Sequence, residues 1–281
     1  MGYPYDASRK ALLTPARDAS FFAAGRPAAE SSLCAELAWI AYAPFERDPA
    51  ARTTVAAALE RIGFTSLNLF SAGGTHGFLA RDSTTRLSVL TFRGTEPNLK
   101  NWETDLTTEL VPWSGGGRVH RGFAEALSTV WDSVLADLKT VTGRCLYTGH
   151  SLGAGLATLA ASRRTPDALI TFGSPRVGDD AFAHSPGRSN HHRYANCCDV
   201  VTRVPLEAMG YRHTGTLVYL DRDGRSVAAP TESLILDDQR HARLGYLSRW
   251  AWRPGTMWTR DAADHAPVNY VSALQVANQA R

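Results

Sequence analysis

Gly149-His150-Ser151-Leu152-Gly153 places one serine midway between two glycines, where a strand-like run gives way to an alanine-rich one. That spacing is the G-x-S-x-G of a nucleophile elbow, and the chain contains no second match. A serine at the tip of a strand-to-helix turn is held in an unfavourable backbone conformation. Its neighbours two positions away must then lack a Cβ. The helix N-terminus beneath it favours developing negative charge. The chemistry on offer is nucleophilic acyl transfer, which also needs a general base, an orienting acid and an oxyanion hole. Read alone, the pentapeptide fits a tight turn that happens to contain a serine equally well.

On an α/β-hydrolase scaffold the acid and then the base follow the serine in sequence. The downstream histidines are His184, His191, His192, His213, His241 and His265, and the acids to weigh are Asp179, Asp180, Asp199 and Asp264. The elements that must position them follow from the hydrophobic pattern. It predicts helices over 30–42 and 53–62, then strands over 65–70, 77–80 and 86–94. A helix over 121–141 carries Leu127, Val130, Trp131, Val134, Leu135 and Leu138 on one stripe. Next come a strand (144–148), a helix (151–163), a strand (167–173), a short helix (179–183) and a strand (191–196). A peripheral hairpin over 216–229 turns at Asp221–Gly224, and helices near 237–250 and 267–278 close the chain. Strands alternating with helices imply a mostly parallel sheet covered on both faces. The 281 residues suit a tail or surface wrap over 1–28, with Pro4, Pro15 and Pro27, followed by a single domain over 29–281.

Six segments, the elbow's own among them, occur in order: "TFRGTEPNLKNWETDL", "VHRGF", "TGHSLGAG", "GSPRVGD", "RYANCCDVVTRVP" and "DHAPVNY". Together, from about residue 85 to 270, they resemble the class 3 lipases, the family of fungal triacylglycerol lipases and their bacterial and plant relatives. The resemblance implies the α/β-hydrolase fold: a mostly parallel central sheet with helices on both faces. It implies Ser151 as nucleophile, His265 of "DHAPVNY" as base and Asp199 of "NCCDVVTRVP" as orienting acid. His213 in "YRHTG" is the runner-up base, and Asp179 and Asp180 read as a turn with a helix cap. Asp264 is adjacent to His265, and adjacent residues rarely aim their side chains at each other. For the oxyanion hole the resemblance implies Thr95, through its backbone N–H and hydroxyl, with Leu152 supplying the second N–H; Gly94 lets that backbone approach closely. It also makes "EPNLKNWETDL" a lid, with Leu99, Trp102 and Leu106 at i, i+3 and i+7 as its substrate-facing residues. His150, Arg93 and Asn196 read as braces for neighbouring backbone. Trp250, Trp252 and Trp258 read as inter-helix packing, or else as an acyl groove or lipid contact.

Composition excludes several classes. A formal net charge of +3 with scattered arginines gives no nucleic-acid footprint, and no apolar run is long enough to span a bilayer. Cys34, Cys145, Cys197 and Cys198 show neither metal-ligand spacing nor a disulfide framework, so no metal or cofactor is expected. The first residues lack the apolar core of a signal peptide, which points to the cytoplasm unless a leader has been removed. The expected activity is a serine carboxylic-ester hydrolase, first of all a lipase acting on acylglycerols at a lipid–water interface. Alternatives are a short-chain or feruloyl-type esterase, an amide hydrolase on the same fold, and a catalytically silent binding module.

Overall fold

The computed structural model describes residues 3–12, 22, 24–95, 109–185 and 190–279, without the side chains of 12 and 276–279. Two helices come first, α1 (Glu30–Ile40) and α2 (Pro49–Arg61). Asp48 caps α2 by accepting from the Ala50 N–H (2.8 Å), and Pro49 occupies the first turn, where its missing N–H has no cost. This cap starts the helix four residues before the apolar periodicity does.

Strands β1 (Ser66–Ala72), β2 (Thr75–Asp82) and β3 (Leu87–Phe92) form an antiparallel meander. A small antiparallel ribbon, β4 (Leu110–Pro112) with β5 (Arg118–His120), leads into α3 (Arg121–Lys139). The hydrophobic pattern gave no warning of this ribbon, because three-residue strands are too short to show a period. Then follow β6 (Arg144–His150), α4 (Leu152–Arg163), β7 (Ala168–Phe172), α5 (Asp180–Ala183) and β8 (His191–Asn196). The hairpin β9 (Thr216–Leu220) and β10 (Ser226–Ala228), then α6 (Glu232–Arg249), α7 (Arg260–Ala263) and α8 (Pro267–Gln279), complete the order. Helix α6 begins five residues before the sequence expectation, because Thr231 caps it at the Leu234 N–H.

The main sheet runs β1-β2-β3-β6-β7-β8-β9-β10. Pairings from β3 through β9 are parallel, and both ends of the sheet are antiparallel. On one face α1 and α8 pack over Phe78, Val89, Leu146 and Phe172. On the other, α3 and α4 cover Leu79, Leu90, Phe92 and Tyr147. Helix α1 is buried continuously from Ser32 to Ile40, since α8 covers the side that the sheet does not. Among the first 28 residues, Tyr3, Ala7, Ala11 and Phe22 are buried, and the Asp6 N–H bonds Asn269 Oδ1 (2.9 Å). Among the described residues, no helix is long and apolar enough to cross a membrane.

The packing expected of the tryptophans needs correction. Trp250 is partly buried, but Trp252 and Trp258 are 69% and 75% exposed.

Candidate active site

Ser151 occupies the single residue between β6 and α4, with φ 59° and ψ −127°. A non-glycine residue at positive φ is strained and persists only where its surroundings hold it. The two flanking glycines are that surrounding. A Cβ on Gly149 would lie 2.3 Å from the Gly153 carbonyl, and one on Gly153 would lie 2.3 Å from the Phe92 carbonyl oxygen. The elbow is therefore pressed against its own helix and against the end of β3, with Thr95 three residues further on. Gly153→Ala is expected to cost about 2–3 kcal/mol of stability and most of the activity, because backbone rather than a movable side chain must yield. Gly155→Ala, whose Cβ would meet only the Phe123 ring at 3.3 Å, is expected to be far milder. Chemical denaturation of the two variants compares them directly, and equal losses would refute the steric account.

Three residues from separate loops converge at this turn. His265 follows α7, Asp199 follows β8, and both are buried. His265 Nδ1 lies 3.0 Å from each Asp199 carboxylate oxygen, and its Nε2 lies 2.9 Å from Ser151 Oγ. A carboxylate only accepts, so Nδ1 carries the proton and Nε2 keeps its lone pair for the serine hydroxyl. Asp199 also accepts from Tyr270 Oη (2.6 Å) and from the Val201 N–H (2.9 Å). Burial pushes the Asp199 carboxyl upward. The neighbouring His265 and the hydrogen bonds from His265 and Tyr270 outweigh it, holding the group below the usual carboxylate range. Gly173, at φ 55°, gives these groups room: a Cβ there would sit 2.7 Å from Asp199 Oδ2 and 3.1 Å from His265 Nδ1.

A second set of contacts fixes the His265 backbone. His150 Nε2–H donates to the His265 carbonyl (2.8 Å), leaving Nδ1 to accept from Tyr42 Oη (2.7 Å). Burial, with the adjacent His265 adding to it, pushes the His150 imidazole down to about 3, so it stays neutral. Burial also brings His120 down to about 4. An unfolded histidine titrates near pH 6.5. Below that value the unfolded chain binds protons that the folded chain refuses, so stability falls as pH drops from about 6.5 toward 3. The expected loss is on the order of a few kcal/mol. Urea midpoints measured across that range test it, and a flat profile would contradict it.

The other candidates lie elsewhere. His213 Nε2 bonds the Thr202 carbonyl (2.7 Å), and Asp179 caps α5 at the Phe182 N–H (2.8 Å). The Asp264 carboxylate faces Arg260 Nε (3.0 and 3.2 Å), the Cys198 N–H (2.9 Å) and Tyr5 Oη (2.8 Å). Asn196 Nδ2 donates to the Asp264 carbonyl, bracing backbone as its sequence context suggested. Arg93 reaches back to the segment after α1, donating to the carbonyls of Ala41 (2.5 Å) and Ala43 and to Glu46 (2.7 Å). That anchors the backbone entering Gly94 and Thr95. A Cβ on Gly94 would collide with Tyr42 Oη, so this strand end sits directly over the His150 network. Thr95 is exposed, and Leu152 is the first residue of α4, whose N–H the helix itself leaves unpaired. Leu99, Trp102 and Leu106 lie outside the described residues.

Among the described residues, one group has metal-ligand spacing: Cys197, Cys198 and Asp264, within 4.8 Å of one another. Their atoms are already engaged, Asp264 as above and Cys197 Sγ with Asp238 Oδ2 (3.3 Å) and Tyr219 Oη (3.5 Å). Sequence reasoning missed Tyr42 and Tyr270. Tyr270 stands five residues after His265 in a segment already singled out. Tyr42 carried no signal, since it lies in the turn after α1, 108 positions before its partner.

Residues 89–209 match the family model "Lipase (class 3)". A secreted mono- and diacylglycerol lipase of Fusarium solani is 35% identical over 168 residues, 53% of this chain and 48% of that protein. A lipase of Rhizomucor miehei is 30% identical over 193 residues, 62% of this chain and 53% of that one. The chain thus spans about half the length of the curated relatives it matches. The solved triacylglyceride lipase of Rhizomucor miehei superimposes with a TM-score of 0.55 over 84% of this chain and 89% of that one. At 22% identity that likeness shows the fold: an α/β architecture with a mixed, mostly parallel eight-stranded sheet and flanking helices.

Proposed function

We propose that this chain is a class 3 lipase, a serine hydrolase that cleaves acylglycerol esters. The observation that carries the reading is the continuous chain from Ser151 Oγ through His265 to Asp199, built on a positive-φ turn at a helix N-terminus. Ser151 is the nucleophile and His265 the base that takes its proton. Asp199 holds the imidazole tautomer and stabilises the imidazolium. The tetrahedral oxyanion is received by the N–H of Leu152 and by Thr95. His265 then protonates the leaving alcohol, and a water deprotonated by the same imidazole releases the acid from the acyl-serine. Leu99, Trp102 and Leu106 are assigned, on the family resemblance of their segment, to the residues that cover the substrate. Residues 29–281 act as one hydrolase unit, with the preceding segment wrapped against it.

The match of residues 89–209 and the names of the relatives favour acylglycerols as the ester. The Fusarium solani relative is secreted by name, and nothing in the comparisons supports a cytoplasmic location. The test is a series of p-nitrophenyl esters of increasing chain length, alongside mono-, di- and triacylglycerols and an anilide. Rates that rise with acyl length and extend to acylglycerols support a lipase. Activity confined to short or aromatic esters would move the assignment to an esterase. A wild-type chain that neither hydrolyses any ester nor reacts with a fluorophosphonate would overturn the enzyme reading.

A further inference from the structure

Helix α6 is packed the wrong way round for an ordinary surface helix. The residues it buries are Asp238, Gln239, Ala242 and Tyr246, a largely polar or small stripe. Its leucines face outward instead: Leu236, Leu244 and Leu247 are 60%, 59% and 56% exposed. At 3.6 residues per turn these three fall within an arc of about 80°. The turn after the helix extends the exposed surface with Trp252, whose indole N–H donates to the Ser248 carbonyl (3.0 Å), and with Trp258. Leucines scattered singly need no explanation, but aligned leucines continued by two exposed tryptophans do.

The charges on this surface are mostly of one sign. The Arg253 guanidinium lies 5.3 Å from the Trp252 ring centre, and that of Arg9 lies 5.4 Å from Trp258. Arg240 and Arg249 are exposed on the same helix. Of the nearby acids, Asp261 is held by Arg243 (2.8 Å) and Asp237 stands 3.9 Å from Arg240, with Glu232 at the far end of the helix. Leucine and tryptophan flanked by arginine is the composition that settles into a headgroup layer, rings and aliphatic chains inward and guanidinium groups at the phosphates. A two-fold pairing of this face with a second copy would instead set the arginines against one another.

We infer that the outer face of α6, with Trp252 and Trp258, docks on an anionic lipid surface, apart from the chemistry at Ser151. Among the described residues, the side chains of this face share no hydrogen bond with Ser151, His265 or Asp199, so binding and hydrolysis are separately measurable. The experiment uses the full chain carrying Ser151→Ala, so that vesicles stay intact, and co-sedimentation with vesicles of phosphatidylcholine alone or mixed with phosphatidylglycerol. The expected result is binding to the mixed vesicles that weakens with added salt. Adding Leu244→Glu, Leu247→Glu and Trp252→Ser is expected to reduce it about tenfold or more. The same three substitutions without Ser151→Ala are expected to leave hydrolysis of a soluble short-chain ester within about twofold of wild type, which certifies the fold. Equal vesicle binding with and without the three substitutions would overturn the inference, as would preference for pure phosphatidylcholine. A dimer in sedimentation velocity that the substitutions dissolve would also overturn it, assigning the face to a second copy. If vesicles bind as expected while the wild-type chain hydrolyses no ester, the enzyme reading fails and the docking surface stands.

Discussion

Ser151→Ala is expected to lower kcat for ester hydrolysis by about a million-fold and to abolish fluorophosphonate labelling. The size follows from what the hydroxyl does: its oxygen is the atom that bonds to the acyl carbon, and no neighbour replaces it. Alanine keeps the Cβ, so the elbow loses its nucleophile with little change in packing. Backbone strain at φ 59° is carried equally by serine and alanine, and the stability of the variant should stay within about 1 kcal/mol of wild type. Because Ser151 and His265 act as one device, His265→Ala added to Ser151→Ala should cost almost nothing more. Single-turnover and steady-state rates on a p-nitrophenyl ester settle the matter. Retention of more than about 1% of wild-type kcat would mean that another group is the nucleophile.

The sequence carried the parts of this arrangement that local sterics impose. A serine flanked two residues away by glycines is legible because a Cβ at Gly149 or Gly153 would meet backbone at 2.3 Å. The strand-helix alternation after residue 140 was legible too, since each element there is long enough to show its period. What the residues alone left open was which histidine and which aspartate meet the serine. Asp264 and Asp199 both lie near His265 in the folded chain. Only the return of the loop after β8 decides that Asp199 faces the imidazole while Asp264 faces Arg260. The buried face of helix α6 was not legible for a different reason. Its polar stripe is buried because Asp238 and Gln239 serve partners outside the helix, Tyr219 of β9 and Arg222 for the first, Arg203 and the Cys197 carbonyl for the second. A hydrophobic period cannot anticipate polar groups drawn inward by partners far along the chain.

Asp199→Asn is expected to lower kcat by about ten-thousand-fold while leaving the fold in place. Four hydrogen bonds meet this carboxylate, two from His265 Nδ1–H and one each from Tyr270 Oη and the Val201 N–H, and in every one it accepts. An amide offers one accepting oxygen and a donating NH2. Wherever the NH2 sits it opposes a donor: the Val201 N–H at the Oδ1 position, the Tyr270 hydroxyl at the Oδ2 position, and in both places the His265 Nδ1–H beside it. An Nδ1 that accepts from this NH2 moves the imidazole proton to Nε2, the atom that must receive the Ser151 proton, and no charge remains to stabilise an imidazolium. Either orientation removes the base. Tyr270→Phe deletes only one of the four hydrogen bonds and should cost much less in kcat. Asp264→Asn, whose carboxylate serves Arg260, Tyr5 and the Cys198 N–H, should lower stability before it lowers the rate. Measuring kcat together with urea midpoints for the three variants separates these outcomes. A rate for Asp199→Asn within tenfold of wild type, with Asp264→Asn nearly inactive yet stably folded, would reassign the acid to Asp264.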